Sequence, residues 1–192
     1  MWKRRSLCAL AGVCMAAGMI RAAEMPRPSP DFAIKTLDGK TISVSQYRGK
    51  VVTLAFILTY CPHCQKTVGY LSAMQNEYGP RGFQVLASAI EDMAAMALPD
   101  FIKRFHPPFP VGYDERDAVL NYLQHPVMLK LMMPQVVFID RQGVIRAQYA
   151  GDDKFFMDNQ EKNLREQVES LVKENAAAPK KGSRVSTRKK AS

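Results

Sequence analysis

Cys61-Pro62-His63-Cys64 is the stretch of this 192-residue chain whose residue types and spacing most directly support chemistry. Two thiols so placed can form a local disulfide, work as a redox pair, or supply part of a metal site. Structural zinc takes four ligands, and a lone pair of cysteines cannot complete such a site. The other two cysteines, Cys8 and Cys14, lie in an apolar segment near the start. A bridge across so short a loop removes little entropy from the unfolded chain, so a purely structural disulfide is a poor explanation. Redox exchange instead needs a thiolate as the attacking species. Pro62 suits the first turn of a helix, where its missing N–H is not felt. Cys61 is therefore expected at a helix N-terminus, where unpaired N–H groups and the helix dipole stabilise negative charge. Cys64, one turn on, is within reach but deeper. Cys61 is the expected nucleophile and Cys64 the resolving thiol. A partly protonated His63 beside Cys61 would lower the Cys61 pKa, stabilise the reduced form and make the pair more oxidising.

These residues need elements to hold them. Val51 to Leu58 is a near-continuous apolar run, as expected of a strand covered on both faces. After Cys61-Pro62, the residues Val68, Leu71, Met74 and Tyr78 recur at helical spacing until Gly79-Pro80. Phe83 to Ile90 reads as a second buried strand, which makes a right-handed βαβ unit. Upstream, Asp31–Leu37 and Lys40–Val44 flank Asp38-Gly39 and read as a hairpin. Downstream, Pro99 to Phe105 suggests a short helix with Pro99 near its start, and His106 to Pro110 a loop. Asp114 is a good cap for a second helix with Val119, Leu120 and Leu123 turned inward. Gln135–Asp140 and Val144–Ala150 read as strands around an Arg141-Gln142-Gly143 turn. A last helix is expected over Gln160–Lys173, with Leu164, Val168, Leu171 and Val172 on one face.

The ends differ from the middle. Residues 1–23 run from a cationic start through an apolar stretch (Leu7–Ile20) to Ala22-Ala23, the pattern of a secretory signal or uncleaved anchor. Fourteen apolar residues fall short of the roughly 20 that span a bilayer. Residues 24–30 form a proline-rich, extended lead-in, and 175–192 a basic tail expected to be disordered. The net charge of +9 comes from residues 1–23 and 175–192, which hold ten of the 27 basic residues and no acid, leaving 17 against 18 acids. Total charge thus gives no support to nucleic-acid binding. Export implies an oxidising, periplasmic or other extracytoplasmic compartment.

The order of hairpin, buried strand, C-x-x-C at a helix start, strand, helix and Met133-Pro134 before paired strands resembles the thioredoxin fold. Asp31-Phe32, Asp38-Gly39, Gly49-Lys50-Val51-Val52 and Pro134 to Asp140 resemble, in particular, the TlpA/ResA-like thiol–disulfide oxidoreductases. That resemblance implies an α/β fold over residues 31–174: a central sheet flanked by helices, with an N-terminal β-hairpin extension. It also implies a cis-proline at Pro134 beside the cysteines. Several positions depart from the family pattern. Tyr60 stands where tryptophan is frequent, able to shield the thiols, and Met133 where threonine is frequent. Ala55 replaces thioredoxin's buried carboxylate, and Thr67 a glutamate found in some relatives. Glu91 is the remaining carboxylate expected near the site.

Competing chemistries fit less well. Cu(I) favours soft ligands such as Cys61, Cys64, Met128, Met132 or Met133, with His125 a further candidate. The copper proteins that this chain resembles, however, use C-x-x-x-C. A peroxidase of the peroxiredoxin kind needs threonine three residues before its cysteine, where this chain has Leu58, with Thr59 beside it. The expectation is an exported thiol–disulfide oxidoreductase without a bound cofactor or metal. Its partners are protein thiol or disulfide substrates and an upstream redox partner. The family resemblance implies a reductant, in cytochrome c or metalloprotein maturation; His63 pulls toward a less reducing couple.

Overall fold

The computed structural model describes residues 24–174. The signal-like segment and the basic tail lie outside the described residues.

The chain starts with a short strand β1 (Arg27–Pro28) and the hairpin β2 (Ala33–Lys35) and β3 (Thr41–Ser43). It continues through β4 (Val51–Ile57), α1 (Pro62–Tyr78), β5 (Phe83–Ala89), α2 (Ala94–Phe105), β6 (Val111–Tyr113) and α3 (Arg116–Leu123). Strands β7 (Gln135–Ile139) and β8 (Val144–Tyr149) precede α4 (Lys154–Met157) and α5 (Gln160–Glu174). One mixed sheet holds the eight described strands in the order β1-β8-β7-β4-β5-β6-β2-β3. β4 lies at its centre, parallel to β5 and antiparallel to β7.

Every residue of β4 is buried, and alternation along the strand sorts them between two cores. Val51, Ala55 and Ile57 pack with α1, α2 and α5 through residues such as Leu71, Phe101 and Val168. Val52, Leu54 and Phe56 pack with α3 and the hairpin through Val119, Leu123, Phe32 and Ile34. Coverage on both faces is why the run shows no polar alternation. The α1 residues Val68, Leu71, Met74 and Tyr78 are at most 1% exposed, so the motif helix is anchored along its length.

Four features differ from the sequence-based expectations. The lead-in is extended, but Arg27 and Pro28 also pair with Ile145 and Val144, adding an edge strand. α2 begins at Ala94 rather than Pro99. Its alanines and Leu98 favour helix, and burial of Ala94, Leu98 and Phe101 outweighs the one backbone bond that Pro99 cannot donate. Asp114 does not cap α3: Glu115 holds that position, while Asp114 turns inward to accept a hydrogen bond from Ser88 Oγ (2.8 Å). Finally, Val111–Tyr113 is a strand between β5 and the hairpin. It fits there because Gly112 has no side chain; a Cβ would meet the Lys35 carbonyl oxygen at 2.2 Å.

Candidate active site

The motif sits where the central strand gives way to α1. After Ile57 the chain turns, the Cys61 amide donating to the Leu58 carbonyl (3.1 Å). Cys61 takes the N-cap position in extended conformation (φ −79°, ψ 120°) with Pro62 in the first turn. It is half-buried, while Cys64 is 0% exposed. The two thiols thus stand one turn apart at the helix start, the outer open to solvent and the inner closed off. No acidic residue lies in the first turn of α1, so nothing there opposes the positive end of its dipole.

Both cysteines lean on the residues just before them. The Leu58 amide donates to Cys64 Sγ (3.4 Å), and Gln65 Nε2 donates to the Thr59 carbonyl (2.8 Å). Burial pushes the Cys64 thiol well above its ordinary pKa range. The Leu58 amide works against that rise, and the proximity of Cys61 and Glu91 adds to it.

Glu91 lies just past β5 and does approach the site. Its Oε1 accepts from the Thr59 amide (3.0 Å) and from Thr59 Oγ1. Its Oε2 is buried without a hydrogen-bond partner among the described residues. A cleft of about 420 Å³ opens here, lined by Leu58, Tyr60, Ile90, Glu91, Leu131 and Met133, together with Asp92 and Arg116. Tyr60 is 68% exposed and forms a wall of the cleft.

Pro134 immediately precedes β7, whose Gln135 pairs with Phe56 near the end of β4. The register therefore brings the Met133-Pro134 segment to the same end of the sheet as the motif. The Met133–Pro134 peptide is cis. Gly151 braces this segment. Its amide donates to the Met132 carbonyl (3.1 Å), and a Cβ there would lie 2.2 Å from the Met133 oxygen.

Other predicted residues fall elsewhere. His63 is exposed on α1, with no hydrogen bond from its ring to either sulfur among the described residues. Thr67 is buried; its hydroxyl donates to the His63 carbonyl (2.8 Å) and accepts from Gln160 Nε2 (2.6 Å), tying α1 to α5. Of the soft ligands considered for copper, Met128 is 91% exposed, and His125 Nδ1 is engaged with the Pro126 carbonyl (3.0 Å). Among the described residues no group of three or more His, Cys, Asp or Glu side chains could hold a metal ion. Sequence reasoning missed Thr59, Gln160 and Gly151 as supports. Only Gly151 left a trace, as a lone glycine closing a strand.

Comparison with known proteins agrees with this geometry. Residues 25–167 match the Redoxin family model. The chain is 25% identical over 129 residues to the thiol-disulfide oxidoreductase ResA of Bacillus thuringiensis subsp. konkukian, covering 67% of this chain and 71% of that one. It is 31% identical over 119 residues to the ResA of Geobacillus kaustophilus, covering 62% of this chain and 64% of that one. Among solved structures, the thioredoxin-family thiol:disulfide interchange protein of Chlorobium tepidum superposes with a TM-score of 0.64 at 20% identity. It covers 79% of this chain and 99% of that one, a likeness of fold. With a thioredoxin-like sheet, a C-x-x-C at the start of α1 and these relatives, the chain belongs to the Redoxin family, in its TlpA/ResA-like branch of thiol–disulfide oxidoreductases.

Proposed function

We propose that this protein is an extracytoplasmic thiol–disulfide oxidoreductase that reduces disulfides in protein partners, in the maturation of cytochrome c or another metalloprotein. The observation that carries the reading is the asymmetry of the two thiols: Cys61 half-open at the N-cap of α1, Cys64 sealed beneath it. Cys61 attacks a partner disulfide and forms a mixed disulfide. Cys64 then attacks Cys61, releases the reduced partner and leaves the Cys61–Cys64 disulfide, which an upstream redox partner reduces again. Pro134 and Met133 flank the incoming strand. No metal or bound cofactor takes part.

Two features favour the reductant direction. A strong oxidant owes its potential to a stabilised reduced form, typically through a thiolate held by local charge. His63, which could supply that charge, is exposed and makes no hydrogen bond to either sulfur among the described residues. The raised pKa of Cys64 likewise gives the reduced pair no second stabilised thiolate. Placement outside the cytoplasm rests on the signal-like pattern of residues 1–23, with that segment acting as a cleaved signal or an anchor. No helix among the described residues is long and apolar enough to cross a membrane.

Equilibration with glutathione tests the direction. A reduction potential at or below about −270 mV, the value of thioredoxin, is expected; one near about −120 mV, the value of DsbA, would make the protein an oxidant. In the same assay Cys61→Ser abolishes exchange, and Cys64→Ser accumulates a mixed disulfide with the partner.

A further inference from the structure

A buried thiol that must become a nucleophile needs somewhere to send its proton. Once Cys61 is joined to a substrate sulfur it no longer offers a base. On the motif's own strand and helix, Ala55 carries no titratable group and the Thr67 hydroxyl is committed to the His63 carbonyl and Gln160. Glu91 reaches the site from another element, the end of β5. The Thr59 amide and hydroxyl both engage Oε1, which leaves Oε2 buried, held in place and without a partner among the described residues. Leu58 and Thr59 are adjacent, so one short turn grips the Cys64 sulfur with one amide and the Glu91 carboxylate with the next.

We propose that Glu91 is the proton acceptor for Cys64 in the resolving step, with Thr59 as its positioning residue. This deepens the oxidoreductase reading and rests on it. As Cys64 attacks, its S–H proton passes to Glu91 Oε2, directly or across one water in the cleft. The Cys61–Cys64 bond forms, the bond from Cys61 to the substrate sulfur breaks, and the electron pair leaves on the substrate thiolate. Glu91 returns the proton to that leaving thiolate, so no further oxidant or reductant is needed. The titratable and charged groups that line the clefts on either side of Glu91 are Tyr60, Asp92, Tyr113, Asp114, Glu115 and Arg116. Electrostatic proximity to Glu91 also contributes to the raised pKa of Cys64, which places the two groups within each other's field.

The test separates the two chemical steps in the full-length protein, with oxidised glutathione as the probe. Glu91→Gln keeps an oxygen for Thr59 and removes the base. Formation of the Cys61–glutathione adduct, measured in a Cys64→Ser background, is expected to proceed at the same rate with or without Glu91→Gln. Resolution with Cys64 present is expected to slow by about 100-fold near pH 6 and to recover as hydroxide takes over at alkaline pH. Glu91→Asp, which keeps a carboxylate on a shorter arm, restores the wild-type shape of the pH profile with a smaller loss. The proposal is overturned if Glu91→Gln resolves at the wild-type rate. It is equally overturned if Glu91→Gln slows both steps alike at every pH, since that pattern marks a structural role. Failure of the Cys64→Ser protein to form any adduct would instead overturn the oxidoreductase reading beneath it.

Discussion

The amide of Leu58 points at the sulfur of Cys64 across 3.4 Å, so the last turn before the motif supplies the inner thiol with a backbone hydrogen bond. One amide is a small offset against full burial, and the Cys64 pKa rises accordingly. A thiol both sealed and protonated is a poor target for alkylation. In the Cys61→Ser variant, Cys64 is expected to stay unmodified by iodoacetamide at pH 8 while the protein is folded and to react once urea unfolds it. Cys61 in the Cys64→Ser variant reacts under native conditions. Mass spectrometry of timed samples reads both, and native-state labelling of Cys64 as fast as Cys61 would contradict the asymmetry.

Asp114 makes stability depend on pH. Burial raises its pKa from the usual carboxylate range to about 6, against the pull of the Ser88 hydrogen bond. Between about pH 4 and pH 6 the folded protein therefore holds a proton that the unfolded chain has already released. This contribution must fall as pH rises through that window and level off above it, by about 2–3 kcal/mol in all. Exposed Asp38, held down to about 2 by its hydrogen bond to Lys40, acts in the opposite sense. The measurement is therefore a difference: urea unfolding of wild type and Asp114→Asn from pH 4 to 7. The variant should gain on the wild type as pH rises; parallel curves would rule the effect out.

Gly151 couples the end of β8 to the Met133-Pro134 segment, at the same end of the sheet as the motif. A methyl group there would lie 2.2 Å from the Met133 carbonyl oxygen and 2.4 Å from its carbon, both backbone atoms that cannot swing aside. Gly151→Ala is expected to cost about 1–3 kcal/mol of stability through overpacking. It should also slow reduction of a protein disulfide such as that of insulin more than alkylation of Cys61 by a small reagent. Equal effects on both reactions would show that the Met133-Pro134 segment plays no part in receiving protein substrates.

Much of the architecture follows from local pattern, because periodicity and turn chemistry act between neighbours in the chain. The seven buried residues of β4, the inward stripe of α1 and the apolar face of α5 are all legible in the order of residues. So is the placement of Cys61 at a helix start, since proline at the first turn is a local preference. β6 is not legible: three residues carry too little periodicity, and the strand exists because Gly112 lets the Lys35 backbone come close. Nor does the sequence distinguish a capping Asp114 from one folded inward onto Ser88, as the choice depends on a partner 26 residues away.

At the site the same division holds. The chain's own order determines which sulfur stands outermost and which lies one turn deeper, because both belong to a single helix. Only the tertiary structure decides that Glu91 is clamped by Thr59 across 32 residues, that His63 faces solvent, and that Met133 is seated on Gly151. Those contacts join β5, β7 and β8 to the motif turn. They arise where strands distant in sequence end side by side, and a carboxylate acquires a role there only when the sheet's register brings a donor to meet it.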